Sequence, residues 1–169
     1  MKTAYMNYFS RYILIALIVI TLSACTYAPK SNSDATDIHK KIGDEITLDT
    51  LDLKVNSVEE NQLISSYYGS TAYAAEGSKF VLIVLELINT TDEDFEYVPD
   101  LKLVDEHGNE YNSYQNTINN INNHIENRKL DPGIRETGYI VYEIPEDSTS
   151  YSIMTSGKDK NEMYEIKLK

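Results

Sequence analysis

The sequence predicts an all-β domain over residues 42–169, an antiparallel sandwich of two sheets. Three observations favour this class: from Ile42 onward apolar residues recur with a period of two, turn residues follow at short intervals, and helical periodicity is nearly absent. Alternation is what a half-buried strand requires, because successive side chains point to opposite faces of a sheet.

The first strands are predicted to form a hairpin and to lead into a central strand. Residues 46–48 precede a turn at Asp49 and Thr50, and residues 51–55 then alternate between apolar and polar side chains. The strongest strand covers residues 79–89, where apolar side chains occupy both faces. Such a nearly continuous apolar run indicates a strand that is covered on both sides.

The later strands are bounded by turns. A strand at 101–104 precedes a turn whose Gly108 can adopt a positive φ, and a turn at 131–133 precedes a strand at 138–144 that Pro145 closes. The last hairpin runs through 151–154, turns near Gly157 and returns through 164–168. About seven or eight strands at this spacing favour an immunoglobulin-like sandwich over a barrel.

Two segments interrupt the alternation. In residues 112–130 the isoleucines at 118, 121 and 125 are three and four residues apart, which is compatible with a short surface helix or with a long loop. Residues 60–77 carry Tyr67, Tyr68 and Tyr73 among small residues. This segment is either an extension of a strand or a mobile loop.

Residues 1–24 are typical of a signal peptide. Lys2 and Arg11 form a cationic start, and the apolar run at 12–20 is expected to form a helix that is too short to span a bilayer. Leu22, Ser23, Ala24 and Cys25 resemble the lipobox of bacterial lipoproteins. The resemblance implies a diacylglycerol thioether on Cys25, acylated with chains such as palmitate, and cleavage after Ala24. The alternatives are a plain secretory signal with an incidental cysteine and an uncleaved anchor helix.

Residues 25–41 are polar, include Pro29, and are predicted to be a flexible, lipid-anchored tether. Two acyl chains hold a protein stably, whereas one chain binds a membrane only marginally. The domain is therefore expected on the extracytoplasmic face of the cell membrane.

The net charge of the chain limits the kinds of partner that it can bind. The chain has 15 Lys and Arg against 27 Asp and Glu, a formal net charge of −12. Because an acidic surface repels phosphate backbones and anionic headgroups, nucleic acid is excluded and the membrane must be reached through the anchor at Cys25.

No motif for catalysis is present, so the domain is predicted not to be an enzyme and to need no cofactor. His39, His107 and His124 are the only histidines, none has the spacing of a metal site, and Cys25 is the only cysteine. Four acidic residues in loops are weak candidates for calcium ligands. The simpler interpretation is that they are solvated turn residues. These acids are Asp92, Glu93, Asp94 and Asp105.

Tyrosine is abundant, with 14 residues and no tryptophan. Tyr67, Tyr68 and Tyr73 are candidates for an interaction loop, because tyrosine offers amphipathic contact area at low entropic cost. Other tyrosines, such as Tyr142 and Tyr164, fit sheet faces better.

Several segments together resemble, in order, the bacterial domain-of-unknown-function family 4352. They are residues 42–44, 55–59, 77–84, 103–105 with 108–111, 131–133 and 138–145. The resemblance implies an immunoglobulin-like sandwich of secreted proteins and lipoproteins, chiefly of Gram-positive bacteria, similar in fold to the mycobacterial immunoprotective secreted antigen. It carries over no catalytic residue.

The leading hypothesis is a membrane-anchored module that binds a protein or glycan of the cell envelope through its loops. The alternative is a carrier of a small ligand or of calcium. An enzyme is a distant third, since it would need a cleft of converging acids.

Overall fold

Strands make up the regular structure of the chain in the computed structural model, which describes residues 36–65, 69–97, 100–114, 124–125, 127–159 and 161–169. No helix in this part of the chain is long and apolar enough to cross a membrane. The strands are β1 Thr36–Lys41, β2 Glu45–Thr47, β3 Leu51–Asn61, β4 Leu63–Ser65, β5 Thr71–Tyr73, β6 Ser78–Asn89, β7 Phe95–Tyr97, β8 Lys102–Asp105, β9 Glu110–Tyr111, β10 Arg128–Leu130, β11 Arg135–Pro145, β12 Tyr151–Ser156 and β13 Glu162–Lys167.

Two main sheets enclose the core. One has the order β1-β13-β12-β8-β9 and the other the order β11-β6-β3-β2, while β10-β7 and β4-β5 form separate two-stranded ribbons. Inward side chains of both sheets, such as Leu53 and Leu85 from one and Leu103 and Ile153 from the other, are at most 1% exposed and belong to one cluster. The predicted all-β sandwich is confirmed.

The predicted opening hairpin and central strand are also confirmed. β2 pairs with β3, and β6 lies between β3 and β11, antiparallel to both. One face of β6 is completely buried in the core, whereas on the other face Phe80 is buried and the remaining apolar side chains are half-buried. The cover on this outer face is therefore partial.

The predicted turns form where the glycines permit them. Gly108 and Gly133 have φ values of +79° and +68°, a region that favours glycine. In the last hairpin Gly157 serves a different purpose, because a Cβ at this position would lie 2.7 Å from the Cβ of Glu162 on the returning strand. This close approach closes the β12–β13 connection.

The structure differs from the prediction at the start of the domain. Residues 36–41, predicted to belong to the tether, form β1, which pairs in parallel with β13 from Thr36 opposite Glu162 to Lys41 opposite Lys167. Its described side chains are exposed or half-buried. Since an edge strand is held through its backbone, a polar segment can join a sheet without an alternating apolar pattern.

Both interrupting segments contain strand. Within 112–130, residues 128–130 pair with β7 as β10 and Ile125 is buried, while Ile118 and Ile121 lie outside the described residues. The described part of this segment has no helix. Within 60–77, β4 and β5 form a hairpin, so the strand-extension alternative is the one that the structure supports.

Candidate functional site

The candidate site is the ribbon formed by β4 and β5. Its strands pair antiparallel, with Leu63 opposite Tyr73, Ile64 opposite Ala72 and Ser65 opposite Thr71. Only Gln62 separates β4 from β3, and β5 leads back to β6 through residues 74–77. The ribbon is therefore a bent continuation of the long hairpin that β3 and β6 form in the centre of the sheet.

One side of the ribbon is buried on the outer face of the four-stranded sheet. Ile64, 4% exposed, clusters with Phe80 of β6 and Val141 of β11, which are 0% and 1% exposed. We call these three residues the outer core. The ring of Tyr114 meets the ring of Phe80 edge to face, with centroids 5.0 Å apart. This second core explains why Phe80 is apolar although it faces away from the main core.

The other side of the ribbon presents apolar groups to solvent. Leu63 is 47% exposed and Tyr73 is 73% exposed, and the two are direct cross-strand partners. Opposite residues on one face of an antiparallel pair have Cβ atoms about 5 Å apart, so the two side chains form one patch. We call this pair the ribbon patch.

Hydrogen bonds fix the ribbon against the sheet at its base. The backbone N–H of Ala74 donates to the carbonyl of Gln62 at 2.9 Å, which closes the hairpin. The N–H of Ala75 donates to Oε1 of Glu143 on β11 at 2.6 Å, and Nε2 of Gln62 donates to Oε1 of Glu146 at 3.2 Å. These hydrogen bonds therefore hold the ribbon, and with it the ribbon patch, in a defined position on the sheet.

A charged network lies beside this base. Oε1 of Glu60, near the end of β3, accepts hydrogen bonds from the Tyr151 hydroxyl at 2.7 Å and from Nζ of Lys169 at 2.8 Å. Nζ of Lys79, a residue only 7% exposed, lies 3.3 Å from the same oxygen and donates to the carbonyl of Ser148 at 2.8 Å. Glu60 thus neutralises an ammonium that is almost out of contact with water.

The network lowers the pKa of the Glu60 carboxyl to about 2. Burial alone would raise this pKa, but hydrogen bonds from Lys169, Tyr151 and Lys79 outweigh it. A depressed pKa in the folded state means stability that is complete above the unfolded value near 4.5 and is lost as the pH falls towards 2.

We expect Glu60→Gln to lower the free energy of unfolding by about 1 kcal/mol at pH 7, since water screens a carboxylate that is 30% exposed. The difference from the unsubstituted protein should shrink between pH 4.5 and pH 2, as measured by urea unfolding. Glu59→Gln removes a neighbouring exposed carboxylate that makes none of these contacts, and should change stability little at either pH. An equal penalty for Glu60→Gln at pH 7 and pH 2.5 would contradict the ionic role.

Two of the acids considered for calcium are paired with other groups of the protein. Asp94 pairs with Nζ of Lys129 at 2.7 Å, and the hydrogen bond from this lysine lowers the pKa of Asp94. Asp92 and Glu93 are exposed. Within the described ranges no three His, Cys, Asp or Glu side chains gather closely enough to hold a metal ion.

Asp105 stabilises its own turn. Its Oδ1 accepts the backbone N–H groups of His107 and Asn109, each at 2.9 Å, and its Oδ2 accepts the Tyr111 hydroxyl at 2.8 Å. Burial would raise the pKa of Asp105, but these bonds and one from the Asn109 side chain hold it well below its ordinary value. The role of this carboxylate is therefore to stabilise the turn.

The other sequence-predicted residues divide into two groups. Tyr73 is in the ribbon patch and is 73% exposed. Tyr67 and Tyr68 lie outside the described residues, as do Leu22, Ser23, Ala24 and Cys25. Leu63 was not identified from the sequence as a candidate interaction residue. Residues 62–65 contain two adjacent apolar residues between polar ones, and together with residues 71–73 they are compatible with the two strands of a short hairpin.

The fold defines a β-sandwich protein, and comparison with known proteins identifies its family. Residues 40–163 match the model described as "Domain of unknown function (DUF4352)", and the chain belongs to that family. This confirms the resemblance found in the sequence. No curated protein matches the chain.

Solved structures share the sandwich at low sequence identity. A conserved hypothetical protein from Bacillus anthracis is 18% identical, with a TM-score of 0.61 over 77% of this chain and 95% of that one. The yjhA protein from Bacillus subtilis is 18% identical, with a TM-score of 0.58 over 78% and 100%. The secreted protein MPT63 from Mycobacterium tuberculosis is 14% identical, with a TM-score of 0.55 over 78% and 98%. The predicted similarity to a mycobacterial secreted antigen is confirmed for the fold.

Proposed function

We propose that the protein is a non-catalytic interaction module, lipid-anchored through Cys25 on the extracytoplasmic face of the cell membrane, which binds an envelope protein through the ribbon patch. The observation that carries the binding role is the pairing of Leu63 and Tyr73, 47% and 73% exposed, on a ribbon whose opposite side is buried. An apolar pair kept exposed on a positioned support is favourable for contact with another surface.

The composition of the patch favours a protein partner over a glycan. Leu63 is aliphatic and offers no hydrogen bond from its side chain, whereas glycan binding depends on hydrogen bonds to hydroxyl groups beside flat aromatic rings. Tyr73 supplies a rigid amphipathic ring of the kind enriched in protein interfaces. Tyr67 and Tyr68 fall between the two strands in the sequence.

The proposed location is supported from two sides. The cationic start, the short apolar run and the lipobox-like residues that end in Cys25 are the features of a lipoprotein export signal. Independently, one protein of similar fold, MPT63, is described as a secreted protein. Both are in keeping with a domain that works outside the cytoplasm.

The test is cross-linking on intact cells that express the full chain. Replacing both Leu63 and Tyr73 with Ser should abolish the specific cross-linked product, because both apolar anchors of the contact are lost. The matched control is Ile134→Ser, which removes an apolar side chain of similar exposure, 50%, from a turn outside the ribbon. Both variants should keep the melting temperature, since they alter exposed groups.

Equal recovery of the cross-linked protein from the ribbon variant and the Ile134→Ser control would overturn the assignment of the ribbon patch. A product that disappears when wall glycan is digested beforehand, but not when surface proteins are removed by protease, would replace the protein partner with a glycan.

A further inference from the structure

Two lysines lie directly opposite each other at the edge of the five-stranded sheet. β1 and β13 run in parallel, and their register places Lys41 of β1 beside Lys167 of β13. Both side chains are exposed. Neighbouring strands are about 4.8 Å apart, and residues paired in register point to the same face, so the two ammonium groups share one small area of the surface. We call these two residues the lysine pair.

The preceding row of the same two strands contains a pair of the opposite kind. His39 lies opposite Glu165, and its Nδ1 is 2.7 Å from Oε2 of the glutamate. The other oxygen of Glu165, Oε1, accepts a hydrogen bond from the Ser152 hydroxyl at 2.8 Å. Both oxygens of the carboxylate nearest in register are therefore engaged by groups other than the lysine pair.

The lysine pair is an unfavourable contact that the protein does not relieve within the part of the chain that the structure describes. Like charges directly opposite each other on one face of a sheet lower stability. Asp44, three residues after Lys41, accepts the backbone N–H of that lysine at 2.9 Å, and neither side chain of the pair forms an ion pair with a described residue. A local contact that lowers stability without internal compensation is typical of a functional site.

A recess beside the lysine pair offers room for a ligand with an apolar part. It has a volume of about 380 Å³ and is lined by Lys41, Ile42 and residues 167–169. Ile42 is 38% exposed in the turn that follows β1. An anion that carries an aliphatic group can therefore accept hydrogen bonds from the lysine pair and cover Ile42 in the same recess.

The charge of the chain favours a small ligand with a single negative charge. At physiological ionic strength, exposed charges more than about 8 Å away are largely screened, so the two lysines dominate the potential at the recess. A polyanion would extend beyond this range and meet the surface of a chain whose formal net charge is −12. A carboxylate carries one charge and has two oxygens, one for each lysine.

We propose that the lysine pair binds the carboxylate of a small molecule whose aliphatic part lies against Ile42. Such a carboxylate belongs either to the C-terminal residue of a peptide or to a short branched organic acid. The site goes beyond the proposed function and is independent of the ribbon patch. The ribbon packs on the outer face of the four-stranded sheet, whereas the lysine pair belongs to the five-stranded sheet.

The experiment is a titration followed by nuclear magnetic resonance of the backbone amides, with the isotope-labelled full chain in detergent. The two carboxylate probes are N-acetyl-leucine, which represents a peptide terminus, and isocaproate, an organic acid with the same branched end. N-acetyl-leucinamide keeps the aliphatic group but lacks the charge. We expect saturable shifts of the amides of residues 41–43 and 167–169 with at least one carboxylate and none with the amide probe. Shifts with N-acetyl-leucine alone would assign the peptide terminus, and shifts with isocaproate the organic acid.

Substitutions separate the lysine pair from general charge attraction. Lys41→Gln should weaken binding about 3-fold, because one exposed charge contact is lost. Lys158→Gln removes an exposed lysine from the β12–β13 turn, changes the net charge equally and should bind normally. Lys41→Glu should abolish binding and raise the melting temperature by about 2 °C, because it places opposite charges in register, as in the row of His39 and Glu165.

Absence of a saturable shift with both carboxylates, equal affinity for N-acetyl-leucinamide, or equal loss of binding in Lys41→Gln and Lys158→Gln would each overturn the proposal. A melting temperature that does not rise in Lys41→Glu would show that the two lysines do not repel each other, and would overturn it as well. The ribbon variant with Leu63 and Tyr73 replaced by Ser should bind the carboxylate unchanged, so failure of the ribbon proposal leaves this result intact.

Discussion

Replacement of Cys25 with Ala is expected to abolish incorporation of radiolabelled palmitate into the protein. The thiol of Cys25 is the only one in the chain, so no other cysteine can accept the diacylglycerol. Two acyl chains account for stable membrane retention, and their loss leaves a chain of formal charge −12 with no electrostatic attraction to anionic lipid. The wild-type protein should yield an N-terminal peptide that begins at Cys25 and carries the lipid mass.

Ser23→Ala is the matched control, because it alters the same segment but keeps a small residue beside the cleavage point; lipid labelling should persist. Mass spectrometry also separates the alternatives that the sequence leaves open. A plain secretory protein would appear unmodified in the medium, and an uncleaved anchor helix would keep residues 1–24. Either mass, found for the wild-type protein, would contradict the lipid anchor.

The central part of the fold was predictable from the sequence because apolar residues that become buried alternate with other residues along each strand. Every second residue of β6 from Val81 to Leu87 is fully buried, and its partners β3 and β11 repeat the pattern. The turns were also predictable from the sequence, because Gly108 and Gly133 have a positive φ that few other residues adopt readily.

The other features of the fold and of the candidate site depend on contacts between distant parts of the chain, which local sequence patterns do not reveal. β1 is an edge strand whose polar side chains remain at the surface, so its parallel pairing with β13 leaves no apolar signature. One surface recess is lined by residues 48–51, 95–97 and 155–157, which are far apart in sequence. Likewise, Glu60 meets Lys169 only after both sheets have formed. The tyrosines of 60–77 could be recognised as interaction candidates, but their apolar partner Leu63 became visible only through the register of the ribbon.

Phe80→Ala is expected to release the ribbon from the sheet. The side chain of Phe80 is fully buried in the outer core, against Ile64 and Val141, and Tyr114 packs on its ring edge to face. Removal of a buried phenylalanine typically costs about 3–5 kcal/mol of stability. Among the described residues the outer core has three buried members, so we expect the remaining contacts of Ile64 to be too few to hold the ribbon in place. Hydrogen exchange of the backbone amides in β4, β5 and Ala74 should accelerate more than exchange in β12 and β13.

Ile83→Ala provides the comparison, since Ile83 is equally buried on the same strand but faces the main core. Its loss, about 2–5 kcal/mol, should weaken the whole sandwich and speed exchange only through global unfolding, without a selective change in the ribbon. If Phe80→Ala also loses binding of the envelope partner while the sandwich stays folded, the outer core is what holds the ribbon patch ready for contact. Uniform exchange in both variants would instead show that the ribbon and the sandwich open as one unit, and that Phe80 has no separate part in positioning Leu63 and Tyr73.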